Sequence, residues 1–104
     1  MEKLDISGLS SEIKAKIIGL CKVIVPDAAI WIYGSRARGD YKKSSDIDIA
    51  LQAPQLISLF VIAELKDVLN AASLPNFIDI IDLNAVSEGK FKENVLAEMV
   101  LWKK

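Results

Sequence analysis

Asp46 and Asp48 stand two residues apart in Asp46-Ile47-Asp48-Ile49-Ala50-Leu51, where polar or small residues alternate with aliphatic ones. That is the period of a strand with one buried face, so both carboxylates project from the same side, with Cα atoms about 6.5–7 Å apart. Like charges so placed repel, and at least one carboxyl shifts toward its protonated form unless a cation lies between them. Hard Mg²⁺ takes carboxylate, phosphate and water oxygens together, so the pair reads as a candidate metal site. The competing reading is a solvated strand face, but aspartate is depleted in strands and two on one short strand need a reason.

Two further groups could join this pair. Gly34-Ser35 follows an apolar run, and a glycine there lets the backbone turn sharply and approach a ligand closely. A short helix starting at Ser35 would offer free N–H groups to a phosphate, and the Ser35 hydroxyl could add a hydrogen bond. Arg36, Arg38, Lys42 and Lys43 follow and could neutralise a polyphosphate, although the two lysines read equally well as solvated surface. Farther on, Asp79 lies inside the apolar run Phe77-Ile78-Asp79-Ile80-Ile81-Asp82-Leu83, where an unpaired carboxylate is costly to bury. If this strand lies beside the Asp46–Asp48 strand, Asp79 becomes either a third metal ligand or the base that takes an acceptor's proton. Asp82 alternates to the other face and reads as a cap or turn residue.

Composition narrows the alternatives. The 104 residues suit one compact domain, spanning 1–104. There is no histidine, which removes Ser-His-Asp and Cys-His catalysis and His-based zinc sites. The single cysteine, Cys21, sits in an apolar-periodic stretch and reads as a small buried hydrophobe. A net charge of −1 does not indicate direct nucleic-acid binding. No run is long and apolar enough to span a membrane, and residues 1–8 lack the apolar core of a signal peptide, so a cytoplasmic location is expected.

The elements that must hold these residues follow from periodicity. Ile13, Ile17, Leu20, Cys21 and Ile24 predict a helix over 10–25, ended by Pro26. Residues 28–33 predict a buried strand, 35–38 one helical turn, 39–45 a loop and 46–51 a second strand. Pro54 is expected to open a helix carried by Ile57, Val61, Leu65, Val68 and Leu69. Leu74-Pro75-Asn76 is a turn, and 77–83 a third strand. Ser87 is expected to cap a last helix with Phe91, Val95, Met99 and Trp102 along one side. Its apolar end, Met99-Val100-Leu101-Trp102, reads either as core or as a docking or self-association surface, so a homo- or hetero-oligomer is possible. The fold class is α+β (mixed α/β): a small three- to four-stranded mixed sheet flanked by helices.

Gly34-Ser35, ten intervening residues, Asp46-x-Asp48 and a later strand aspartate together resemble the signature of the polymerase-β-like nucleotidyltransferase superfamily. Gly34-Ser35-Arg36-Ala37-Arg38-Gly39 with Ser45-Asp46-Ile47-Asp48-Ile49-Ala50 is similar to its smallest branch, the minimal nucleotidyltransferases (MNT). The likeness extends over most of the chain, through Val25-Pro26, Trp31-Ile32-Tyr33 and Leu74-Pro75.

The resemblance implies the polymerase-β-like palm fold and transfer of a nucleoside monophosphate, AMP from ATP, to an acceptor. It implies nucleotide binding by Gly34, Ser35, Arg36, Arg38 and Ser45, and two Mg²⁺ ions on Asp46, Asp48 and Asp79, the catalytic carboxylates. It further implies a role as antitoxin to a HEPN-domain protein encoded nearby, neutralised by binding, by AMP addition to a tyrosine, or both. The alternative is a catalytically silent module of the same fold that blocks its partner by complex formation alone.

Overall fold

Ser10 starts the first helix because its hydroxyl accepts a hydrogen bond from the Ile13 N–H (3.1 Å), satisfying a donor that the first turn leaves open. In the computed structural model, which describes residues 5–104, this helix is α1 (Ser11–Ile24). The part of the signal-peptide reading that falls on residues 1–4 lies outside the described residues. Ile17 and Cys21, one turn apart, are fully buried. Burial pushes the Cys21 thiol up to about 12, which makes it the inert hydrophobe expected.

The remaining elements are β1 (Ala29–Tyr33), α2 (Ser35–Arg38), β2 (Ile47–Gln52), α3 (Leu59–Ala71), β3 (Ile78–Asp82), α4 (Lys90–Glu98) and β4 (Val100–Lys103). The strands form one sheet in the order β3-β2-β1-β4. β2 runs antiparallel to β1 and parallel to β3, so the sheet is mixed, as expected.

Alternation sorts the strand residues between two faces. Ile30, Ile32, Ile47, Ile49, Leu51, Ile78 and Ile80 are buried with Ile17 and Cys21 of α1 and Leu65 and Leu69 of α3. The opposite face carries Tyr33, Ala50 and Ile81, packed with Val95 of α4 and with Leu83 and Met99. The same alternation puts Asp48 and Asp79 on that second face. The first face is a continuous aliphatic core, and the second is only partly covered, which leaves room for a site.

Three boundaries differ from the expectation. α3 begins at Leu59, not at Pro54: the Ser58 hydroxyl accepts from the Phe60 N–H (3.2 Å). The segment before it is kept out of the helix by tertiary bonds, Ile57 N–H to Asp82 Oδ2 (2.8 Å) and Asn84 Nδ2 to the Ala53 carbonyl (2.9 Å). α4 starts after Gly89, whose φ of 152° and lack of a side-chain bond replace the expected Ser87 cap. It also stops at Glu98. Met99 is extended (φ −66°, ψ 144°), and the next residues become β4, pairing Val100 with Ile32 and Leu101 with Trp31. Trp102 packs on the α1 side, with the Lys14 ammonium 5.4 Å from its ring centroid. The apolar tail is therefore a strand of the sheet rather than the end of a helix. Among the described residues, no helix is long and apolar enough to cross a membrane.

Candidate active site

Register does most of the assembly. Asp48 pairs with Tyr33 on one side and with Asp79 on the other. The end of β1 and the starts of β2 and β3 thus converge at one level of the sheet. Gly34 ends β1 with φ 74°, a backbone conformation disfavoured for residues with a Cβ. A Cβ at Gly34 would fall on the Asp48 carboxylate. Only glycine lets the chain turn this close to the acid.

The carboxylates differ in surroundings. Asp46 is exposed, just ahead of β2. Asp48 is half-buried, and its carboxyl is pushed up by burial first, then by Asp79 and Asp46, with Arg38 opposing. Asp79 is half-exposed, and its Oδ1 lies 3.5 Å from the Lys66 ammonium. Among the described residues, no three acidic side chains converge tightly enough to cage a metal unaided. The donor set still suits one. It is all oxygen, it is self-repelling, and Mg²⁺ ordinarily completes its shell with substrate phosphates and water rather than protein groups alone.

A cleft of about 380 Å³ opens beside Asp48. Gly34, Ser35 and Arg38 form one wall, and Phe91, Asn94 and Glu98 of α4 form the other. Tyr33 lies at its base, its ring edge-on to Phe91 at 6.2 Å. Burial, then Asp48, Asp79 and Glu98, push the Tyr33 hydroxyl well above its ordinary range, so it stays protonated.

Not every expected residue reaches this cleft. Arg36 is 3% exposed, and its guanidinium donates to main-chain carbonyls of Ser7 (2.7 Å), Lys43 (3.3 Å) and Ser45 (3.2 Å). It also stacks over Tyr41, 4.8 Å from the ring centroid. Arg36 braces the loop over 39–45 from inside, where carbonyls outnumber any other acceptor. The Ser45 hydroxyl accepts from the Lys42 N–H (2.8 Å), and its carbonyl accepts from Arg36. Both residues scaffold the loop. Lys42 and Lys43 line a separate cleft with Gly8, Tyr41 and Asn76. Asp82 is the turn residue expected: buried, with Oδ1 accepting from the Asn84 N–H (3.0 Å).

Sequence reasoning missed Glu98. Its Oε1 accepts from the Gly34 N–H (3.1 Å), and its Oε2 accepts from Arg38 Nη1 (2.9 Å). The available signal was an acid in the last turn of a helix, where the macrodipole disfavours negative charge.

Comparison with known proteins shows the family of the chain. Residues 15–104 match the family described as Polymerase beta, Nucleotidyltransferase. The chain is 32% identical over 81 residues to a Haemophilus influenzae protein named "Probable protein adenylyltransferase MntA", covering 74% of this chain and 71% of that one. It superposes with a TM-score of 0.74 on a chain of a toxin–antitoxin crystal structure with AMP-PNP, at 29% identity over 88% of this chain and 73% of the other. A structure of a tri-AMPylated Shewanella oneidensis HEPN toxin with its MNT antitoxin gives a TM-score of 0.70 at 26% identity, covering 89% and 71%. With a match that runs from α1 to the last residue and a relative this similar, the chain belongs to the polymerase beta nucleotidyltransferase family and is a homologue of MntA.

Proposed function

We propose that this protein is a Mg²⁺-dependent nucleotidyltransferase that moves AMP from ATP onto a HEPN-domain partner, as the antitoxin of a toxin–antitoxin pair. The observation that carries the reading is the register of Asp48 with Asp79 beside a Gly34 that leaves no Cβ over the acid. The names of the relatives supply the acceptor class: an adenylyltransferase, and complexes with AMP-PNP or an AMPylated HEPN toxin.

In this reading the polyphosphate lies along Gly34, Ser35 and Arg38, and the α-phosphorus faces Asp48. An acceptor oxygen attacks in line. The new O–P bond forms as the bond to the bridging β-oxygen breaks, and pyrophosphate departs with the electron pair. If Asp79 serves as the base rather than as a metal ligand, the acceptor's proton passes to its carboxylate, beside the Lys66 ammonium. Asp46 and Asp48, with Asp79 if it is a ligand instead, would hold two Mg²⁺ ions, whose contribution when bound is to neutralise phosphate charge and acidify the acceptor hydroxyl. Positioning and charge neutralisation account for most of the rate.

The test is transfer from α-labelled ATP with Mg²⁺, for the wild type and Asp46→Asn, with and without the protein encoded by the adjacent gene. Label on the partner that disappears in the variant is the expected result. No label with any NTP, together with a stable complex, would leave an antitoxin that acts by binding alone.

A further inference from the structure

An anion already sits on the phosphate cradle, and it is the protein's own. Glu98 closes α4 and places one carboxylate oxygen on the Gly34 amide and the other on the Arg38 guanidinium. These are two of the donors that a nucleotide polyphosphate would use. The placement is unfavourable by local rules. A carboxylate in the last turn of a helix meets the negative end of the macrodipole. It also stands near enough to Asp48 to help push that carboxyl up. Two charge-assisted or amide hydrogen bonds from α2 and its cap offset these penalties. Arg38 has a second acidic partner, Asp40, at 3.3 Å from Nε, so its charge is held from both sides. The Glu98 side chain is 19% exposed, against 46% for Arg38, so the carboxylate lies inside the cleft while the guanidinium rim faces out.

We propose that Glu98 sets nucleotide affinity by competing with the polyphosphate for Arg38 and the Gly34 amide. The inference rests on the nucleotide reading above. Entry of an NTP into the cleft requires the carboxylate to leave. Displaced, Glu98 frees two donors for phosphate. β4 follows directly after Met99 and pairs with β1, so the backbone beside Glu98 is anchored and the displacement is one of its side chain. A polyphosphate accompanied by a divalent cation displaces it more readily than a lone anion. The cation relieves the repulsion among Asp46, Asp48 and Asp79 that an added anion alone would increase.

The experiment measures binding of ATP and of inorganic tripolyphosphate, each with Mg²⁺, by titration calorimetry. The proteins are the wild type, Glu98→Gln, Arg38→Gln and the double variant, each with its melting temperature. Glu98→Gln keeps the shape and removes the charge. The expected result is a gain of about three- to fivefold in affinity for both probes, the size of one partly exposed ion pair. The gain should shrink in the Arg38→Gln background to the part that comes from the Gly34 amide. Glu98→Ala should act in the same direction and serves if the glutamine variant melts low. An unchanged or weakened affinity in a variant that melts like the wild type overturns the proposal and makes Glu98 a positioning residue for Arg38. A wild type that binds neither probe overturns the nucleotide reading itself, a separate outcome from failure of the competition.

Discussion

Asp48 of β2 and Asp79 of β3 are direct partners across a parallel ladder. Parallel strands carry residues in register onto the same face, so the two acids face the same space without any loop to place them. The sheet supplies this juxtaposition as rigid geometry. It also supplies a penalty, because Asp48 is half-buried among like charges and its carboxyl rises above the ordinary 3.8.

That penalty predicts a stabilised but inactive variant. A native pKa above the unfolded one means that the folded state binds more protons between the two values. Stability therefore falls as pH rises through that window, and the full loss is present at neutral pH. Asp48→Asn removes it. Its melting temperature at neutral pH should exceed the wild type's, while transfer is abolished. At a pH below the ordinary aspartate range the two proteins should melt together. A variant that melts lower at neutral pH would show that Asp48 is held by partners rather than crowded by acids.

Gly34 and Gly39 separate close approach from backbone strain. Both have positive φ, 74° and 91°. A Cβ at Gly34 meets the Asp48 carboxylate, whereas nothing lies within 4 Å of one at Gly39. Gly39→Ala should lower stability by about 1 kcal/mol through strain alone and keep transfer. Gly34→Ala should displace Asp48 and reduce transfer by about 100-fold or more. Paired melting curves and rates decide it: equal losses of activity in the two variants would remove the special role of Gly34.

Arg36 should behave as a brace. It is buried on three loop carbonyls, so Arg36→Gln leaves acceptors unsatisfied and should cost about 2–3 kcal/mol. Lysine cannot span the same fork and should not restore the stability. A raised KM for ATP with an unchanged melting temperature would instead return Arg36 to the nucleotide site.

How much of this was legible depended on whether the signal was local. The spacing of Ile17 and Cys21, the alternation through Ile47-Asp48-Ile49 and the turn at Gly34 lie in the chain itself, so α1, β1, α2, β2 and β3 could be read from it. The last element could not. Phe91, Val95, Met99 and Trp102 recur at helical spacing, yet the segment from Val100 is drawn out by hydrogen bonds to β1, a partner some seventy residues away in sequence. The start of α3 failed for the same reason, since Asp82 captures the Ile57 amide from across the fold. At the site, the motif acids and the glycine were readable because their types are chemically unusual where they stand. Arg36 misled because a buried guanidinium and a phosphate-binding one look alike in sequence. Glu98 gave only the weak signal of an acid near a helix end, because its partners, Gly34 and Arg38, lie about sixty residues away.

The two aspartates of β3 offer the sharpest contrast between site and scaffold. They are three residues apart on one strand and face opposite sides. Among the described residues Asp79 pairs with Lys66 alone, at a half-exposed position, a contact worth at most about 1 kcal/mol. Asp79→Asn should therefore fold like the wild type and lose transfer. Asp82 is 5% exposed and accepts from the Ile57 and Asn84 amides. In Asp82→Asn one of those donors loses a charged acceptor, so stability should fall by about 1.5–3 kcal/mol. Transfer per folded molecule, measured well below the melting temperature, should persist, because the carboxylate faces the helical core and not the cleft. If instead Asp82→Asn is the inactive, normally stable variant, the third carboxylate has been assigned to the wrong face of β3. The alternation that brings Asp48 and Asp79 together would then not be the one that builds the site.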